Sequence, residues 1–294
     1  MTMIGHVITA MVTPFAPGGE VALHEAARLA KHLASHESDG IVVGGTTGEA
    51  PTLEKREKLE LCAAVAGAVA GGTGVILGAG TNDTSSSVEL ARQAASCGAT
   101  GIMLVTPYYN KPPQEGLYRH FAAVAQATSL PVMLYNVPGR TGVNLLPATV
   151  ARLSADHDNI KAVKEASGNL EQVAELCRLT AGRLDVYSGD DGLTLPMLAV
   201  GAVGVVSVAS HLVGPRLKRM ILAFLEGDHV RARKIHLELL PLFRALFVAT
   251  NPVPVKTALN WLGFDTARFR LPLCPMGQES HDVLRSAMVA AGLL

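Results

Sequence analysis

Ile160-Lys161-Ala162-Val163-Lys164-Glu165 is the stretch from which the rest of the chain can be read. Its residues suit a strand, and period-two alternation puts Ile160, Ala162 and Lys164 on one face. Two small apolar residues and a lysine then share what the pattern predicts to be a packed interior. Lysine is almost never fully buried without a partner. Desolvation lowers its pKa from ~10.4 toward neutrality, and a neutral amine at a strand end attacks a ketone to form a Schiff base. A carboxylate such as Glu49 or Asp190 would equally neutralise it, and this segment alone leaves both readings open.

Outward from that stretch, short β-rich runs alternate with longer helical ones. Strands are predicted over 6–13, 40–45, 75–80, 101–107, 131–138, 160–167, 185–189 and 204–209. Helical spacing lies between them: Leu59, Cys62, Val65 and Val69 share a face, with Glu54, Lys55, Arg56, Glu57 and Lys58 in polar first turns. Further helices are expected to begin near His24, Ser86, Gln114, Pro147 and Asn169. Several strands are near-continuous apolar runs, as in a parallel sheet covered by helices. Eight strand–helix units predict an α/β fold, a (β/α)8 TIM barrel, over residues 1–227. Residues 228–294 have no strong strand. They predict a helical appendage packed on the barrel, with helices over 230–249 and 279–293 and turns at Pro252, Pro254, Pro272 and Pro275.

Composition narrows the function. The 294 residues are 49% hydrophobic and 17% charged, enough apolar material for a large core and too little charge for disorder. A net charge of +0 and 4% aromatics argue against partners among nucleic acids or anionic membranes. Cys62, Cys97, Cys177 and Cys274 have neither Cys-x-x-Cys nor zinc spacing and read as reduced thiols. No run of ~18 apolar residues is free of charge, Gly or Pro, and residues 1–10 lack the pattern of a secretory leader. The expected location is the cytoplasm.

Active sites of such barrels lie at the C-terminal ends of the strands. After the second strand comes Gly44-Gly45-Thr46-Thr47-Gly48-Glu49, whose glycines admit close approach of a ligand to backbone N–H groups that cradle anions. It is not a P-loop, because no Gly-Lys-Ser/Thr follows. Gly78-Ala79-Gly80-Thr81-Asn82-Asp83 lacks the third glycine of a dinucleotide loop. Thr106-Pro107-Tyr108-Tyr109-Asn110 and Tyr135-Asn136-Val137-Pro138-Gly139-Arg140 put three of the five tyrosines on the same rim, near a lysine and an arginine. Phenols relay protons, and arginine clamps carboxylates in two-pronged fashion. Ser188-Gly189-Asp190-Asp191 suits a cation or a helix cap, the cap being favoured. His32 and His36 have i, i+4 spacing but no third ligand, so no metal is expected. No histidine falls in a strand-end motif, which leaves a histidine-based triad without support.

Taken together, GGTTGE (44–49), TPYYNKP (106–112), LYNVPGRTG (134–142), VKEASGN (163–169), SGDD (188–191) and NPVPVK (251–256) resemble the pyruvate-dependent class I aldolase (N-acetylneuraminate lyase) family, in family order and over nearly the whole chain. The resemblance implies a lyase, a homotetramer built from tight dimers, and no cofactor or metal. It further implies condensation of pyruvate with L-aspartate 4-semialdehyde, at the entry to diaminopimelate and lysine biosynthesis. Carried over residue by residue, it makes Lys164 the Schiff-base lysine and Tyr135 the proton shuttle, linked through Thr46 to Tyr109 of a neighbouring subunit. Thr47 holds the pyruvate carboxylate, Arg140 that of the second substrate, and Gly189 and Val206 line the pocket.

The alternative is a sibling aldolase acting on a sugar aldehyde or forming 4-hydroxy-2-oxoglutarate; Arg140 argues against it, since it suits a short carboxylated aldehyde. A barrel that has lost catalysis would lack one of Lys164, Tyr135, Tyr109 or Thr46, and all are present. Some family members are inhibited by L-lysine. Tyr108 and Asn82 match that effector site, but Lys55 and Lys58 replace histidines and Ser86 replaces a glutamate. Added positive charge and a lost carboxylate disfavour a cationic effector, so weak or absent lysine feedback is expected.

Overall fold

Eight short parallel strands close on themselves in chain order, the eighth pairing with the first. They are β1 (Val7–Ala10), β2 (Gly40–Val43), β3 (Gly74–Gly78) and β4 (Gly101–Val105), then β5 (Val132–Asn136), β6 (Ile160–Glu165), β7 (Asp185–Ser188) and β8 (Gly204–Ser207). The computed structural model describes residues 3–69, 71–180 and 182–294. Met1 and Thr2, the first residues of the stretch read above for a leader, lie outside the described residues. The expected (β/α)8 barrel is what the chain forms. Its strands stop earlier than the apolar runs, because the parallel pairing ends there.

The helices cover the outside. They are α1 (Leu23–Ser35), α2 (Lys55–Ala68), α3 (Thr84–Ala94) and α4 (Gln114–Gln126), then α5 (Pro138–Thr141), α6 (Pro147–Asp156), α7 (Leu170–Thr180), α8 (Thr194–Ala199) and α9 (Ser210–Leu225). After the barrel come α10 (His229–Ala245), α11 (Val253–Trp261) and α12 (Gln278–Ala290). Between α11 and its neighbours the expectation of Pro-bearing turns alone is corrected. Pro254 sits within the first two residues of α11, where the missing N–H costs nothing and the fixed φ suits a helix. Among the described residues no helix is long and apolar enough to cross a membrane.

Two apolar layers result. One fills the barrel: Ile8, Val42, Ile76, Met103, Met133, Ala162, Tyr187 and Val206. The other lies between strands and helices and contains Val43, Leu77, Leu134 and Val163. Alternation along β6 holds for Ala162 and Lys164 and fails for Ile160. The β5–β6 register pairs Val132 with Ile160 and Met133 with Ala162, so Lys161 is an extra residue in a bulge. Ile160 therefore joins the outer layer. Lys161 is exposed, and Lys164 keeps its inward aim opposite Tyr135 and Tyr187.

Candidate active site

At the C-terminal ends of the strands two cavities adjoin. One, of about 180 Å³, is lined by Thr46, Thr47, Tyr135, Arg140, Lys164, Gly189, Asp190 and Asn251, among others. The other, of about 240 Å³, shares Thr46, Tyr135, Val137 and Arg140 and adds Gly44, Lys58, Gly80 and Tyr108. Six residues expected from the sequence to act together thus face one chamber: Lys164, Tyr135, Thr46, Thr47, Arg140 and Gly189.

Lys164 is 5% exposed, and its Nζ lies 4.3 Å from the centre of the Tyr135 ring. Among the described residues no carboxylate pairs with it, which removes the neutralised-lysine reading. Glu49 Oε1 instead receives Lys256 Nζ at 2.6 Å, and Asp190 Oδ1 caps a short turn by accepting from Gly192 N at 2.8 Å. Gly189 makes room for the lysine: a Cβ there would come within 3.1 Å of Lys164 Cε and 2.6 Å of Ala166 Cβ. A cavity beside a buried, unpaired amine is the arrangement that imine chemistry requires.

The loop after β2 forms a wall of both cavities. Gly44 adopts φ +63, open to glycine at little cost. The turn closes through Glu49 N to Thr46 O at 3.1 Å and Ala50 N to Gly45 O at 3.1 Å. Thr13 Oγ1 donates to Gly48 O at 2.7 Å, so the segment that follows β1 braces the loop. Thr47 is buried, and its Oγ1 accepts from Asn251 Nδ2 at 3.0 Å. Tyr135 ends β5, and Arg140 rides on α5, one turn that begins with Pro138 and ends at Gly142 with φ +73. That turn places Arg140 where it lines both cavities.

Two expected residues stand apart. Tyr109 is 88% exposed at φ +75 and lines neither cavity of its own chain. Val206 pairs with Ile8 in the barrel interior and lines neither cavity, lying among the residues that fill the barrel below.

Sequence reasoning gave no role to the second layer. Lys256, fully buried, binds Glu49, Thr13 O at 2.9 Å and Arg268 O, and Arg270 N donates to Glu49 Oε2 at 3.2 Å. Burial holds the Lys256 ammonium down to about 8 against the pull of Glu49. The C-terminal segment thereby holds Glu49 at the end of the loop after β2. The NPVPVK string contained Asn251 and Lys256, but only the fold brings them to the loop. Asp191 accepts from Val208 N and Ala209 N at 3.1 and 2.9 Å and from Ser207 Oγ. Burial pushes its carboxyl up against those bonds. Lys58, grouped above with the polar first turn of its helix, is buried instead. The 58, 61, 62, 65 spacing of the buried face could have shown this. His32 and His36 stack, with ring centres 3.8 Å apart.

Comparison with known proteins adds to this geometry. A model of the dihydrodipicolinate synthetase family matches residues 3–291. A 4-hydroxy-tetrahydrodipicolinate synthase of Cyanothece sp. is 55% identical over 295 residues, spanning 100% of both chains. One from Heliobacterium modesticaldum is 54% identical over 98% of this chain and 96% of its own. Among solved structures, the Cyanidioschyzon merolae enzyme with lysine bound superposes with a TM-score of 0.98 at 49% identity, covering 100% of both chains. The Acinetobacter baumannii enzyme complexed with pyruvate gives 0.96 at 36% identity, covering 99% of this chain and 100% of its own.

Proposed function

This chain belongs to the dihydrodipicolinate synthetase family, and on that premise we propose how its chamber joins pyruvate to L-aspartate 4-semialdehyde. The protein is a lyase that yields 4-hydroxy-tetrahydrodipicolinate and serves lysine and diaminopimelate biosynthesis. The observation that carries the residue roles is Lys164: buried, unpaired, and facing a chamber with hydroxyls and a guanidinium on its walls.

The Lys164 amine attacks the ketone carbon of pyruvate and a water leaves, forming a protonated imine. That imine draws electrons from the methyl group, which loses a proton and becomes an enamine. The enamine carbon attacks the aldehyde carbon of the second substrate, whose oxygen takes a proton. The substrate's own amine then displaces the lysine and closes the ring, so one water is released overall. The imine is itself the electron sink, so no metal or organic cofactor is invoked.

Thr47 and the N–H groups of the 46–47 turn hold the pyruvate carboxylate, with Gly189 leaving space beside the imine. Tyr135 moves the protons, within reach of Thr46, and general acid–base help of this kind contributes about 10²–10⁴-fold. Arg140 holds the second carboxylate in two-pronged fashion, and Val206 packs in the barrel interior below the chamber. Tyr109 completes the hydroxyl relay in a neighbouring subunit; its 88% exposure on its own chain supports that placement. The assembly in this proposal is a homotetramer of tight dimers, working in the cytoplasm on small-molecule substrates.

Borohydride reduction in the presence of pyruvate, followed by peptide mass mapping, tests the assignment. A stable adduct is expected on the peptide containing Lys164 and absent from Lys164→Met. An adduct on any other peptide refutes it.

A further inference from the structure

Glu165 follows the reactive lysine in the chain and takes no part in its chemistry. Alternation turns it to the opposite face of β6, toward the outer layer that holds Leu134 and Val163, and it lines neither cavity. It is nonetheless a carboxylate only 2% exposed. Its partners are neutral donors: Asn136 Nδ2 reaches the two oxygens at 3.1 and 3.0 Å, Ser167 N donates to Oε1 at 2.7 Å, and Gln172 Nε2 to Oε2 at 3.3 Å. No cation joins them among the described residues. A buried charge without a counter-ion depends on its full set of hydrogen bonds. Each donor is therefore held in place by the charge it satisfies.

Asn136 carries that hold onward. Its Nδ2 also donates to Asn144 Oδ1 at 2.8 Å, and its Oδ1 accepts from Leu145 N at 2.9 Å. Asn144 and Gln172 exchange two bonds, Nδ2 to Oε1 at 2.8 Å and Nε2 to Oδ1 at 3.2 Å. Asn144 and Leu145 close the loop that bears Arg140 on α5. In the ladder Asn136 stands opposite Glu165, as Tyr135 stands opposite Lys164. One carboxylate thus fixes the ends of β5 and β6, one residue past the reacting pair, together with the arginine loop. We propose that Glu165 is a positioning residue for Lys164, Tyr135 and Arg140, acting through Asn136 and Asn144. That role rests on the proposed function, which gives those three groups their tasks.

Reversing the polarity of the network tests the role. In Glu165→Gln the new amide hydrogens meet the N–H groups of Asn136 and Gln172 at nearly unchanged volume. The kcat should fall about 10- to 100-fold, the cost of displacing reacting groups by about 1 Å. Adding Asn136→Asp exchanges donor and acceptor across the pair, and the Asn144 and Gln172 amides can turn over to match. The double variant should turn over at least about 5-fold faster than Glu165→Gln, the coupling expected within one hydrogen-bond network. Both are assayed well below their melting temperatures, where a loss of stability alone leaves kcat per folded site unchanged. Asn144→Ala, at a half-buried position, cuts the tie to the Arg140 loop and leaves the carboxylate in place. It should raise the KM for the semialdehyde about 5-fold or more, with kcat changed less than about 2-fold.

A folded Glu165→Gln with wild-type kcat, a double variant no faster than Glu165→Gln, or Asn144→Ala with an unchanged KM overturns the role. Borohydride trapping of pyruvate, run in parallel, separates the two readings. An adduct on Lys164 beside any of those results sinks the positioning role alone. No adduct on Lys164, with the polarity swap restoring turnover, sinks only the Schiff-base assignment.

Discussion

Thr47 owes its place in the chamber to Asn251. The Asn251 amide donates to Thr47 Oγ1 at 3.0 Å, while its own Oδ1 is buried with no partner among the described residues. Asn251→Ala leaves the hydroxyl free to turn away from the pyruvate carboxylate. The KM for pyruvate should then rise about 10-fold, with kcat changed less than about 3-fold, as expected for loss of one binding hydrogen bond; steady-state kinetics with varied pyruvate is the check. A second residue sets the acid limit. His211 is buried; Nδ1 faces Val208 O at 2.8 Å and Nε2 accepts from Val12 N at 3.2 Å, so protonation would aim a new N–H at a donor. Burial lowers its pKa to about 4. The unfolded chain binds the proton first, so this stability is complete above the unfolded value near 6.5 and is lost as pH falls toward 4. At pH 5 the loss is about 2 kcal/mol. Thermal melts should show a shallower decline between pH 6.5 and 4.5 in His211→Gln than in the wild type, relative to each protein's neutral-pH value.

At the scale of elements, β6 decides which way the reactive amine points. The bulge at Lys161 means that deleting this residue leaves Ile160 outside and Ala162 and Lys164 inside, a regular alternation matched to β5. The deletion variant should therefore fold and still trap pyruvate on its single inward lysine. A residue inserted between Ala162 and Val163 should turn the amine outward and abolish trapping, since a one-residue slip exchanges the faces. Loss of trapping in the deletion would show that the bulge itself holds the lysine. Strand patterning made this element legible but not its bulge: the apolar character of Ile160 serves either layer, and only the β5 register chooses. The same limit hid α11, because Pro252 and Pro254 read equally as a turn or as the opening of a helix.

The whole molecule carries the prediction that the site spans two chains. Mixing Tyr109→Phe with Lys164→Met, each inactive or nearly so alone, should restore activity after subunit exchange. Random pairing in dimers gives roughly a quarter of the sites both intact groups. Zero recovery in the mixed dimers, with exchange confirmed by native mass spectrometry, would place Tyr109 outside the partner's chemistry. The charge of the larger cavity bears on feedback as well. Lys58 faces it, Lys55 is paired with Glu89, and the Ser86 N–H is taken by Asp83 Oδ2 at 2.7 Å. L-lysine should therefore inhibit weakly or not at all. An activity titration showing strong inhibition below the millimolar range would contradict this.

The alternating runs and the strand-end strings, read along the chain alone, determined the barrel and singled out Lys164, Tyr135, Thr46, Thr47, Arg140 and Gly189, which the fold brings to one chamber. Period and composition are local properties, and barrel sites collect at the ends of strands. Tertiary structure alone decided that Glu49 binds Lys256 and leaves Lys164 unpaired, and that Asn251 reaches Thr47. Each depends on side chains far apart in sequence meeting in space, where burial fixes which charges can be satisfied; no spacing along the chain encodes that competition.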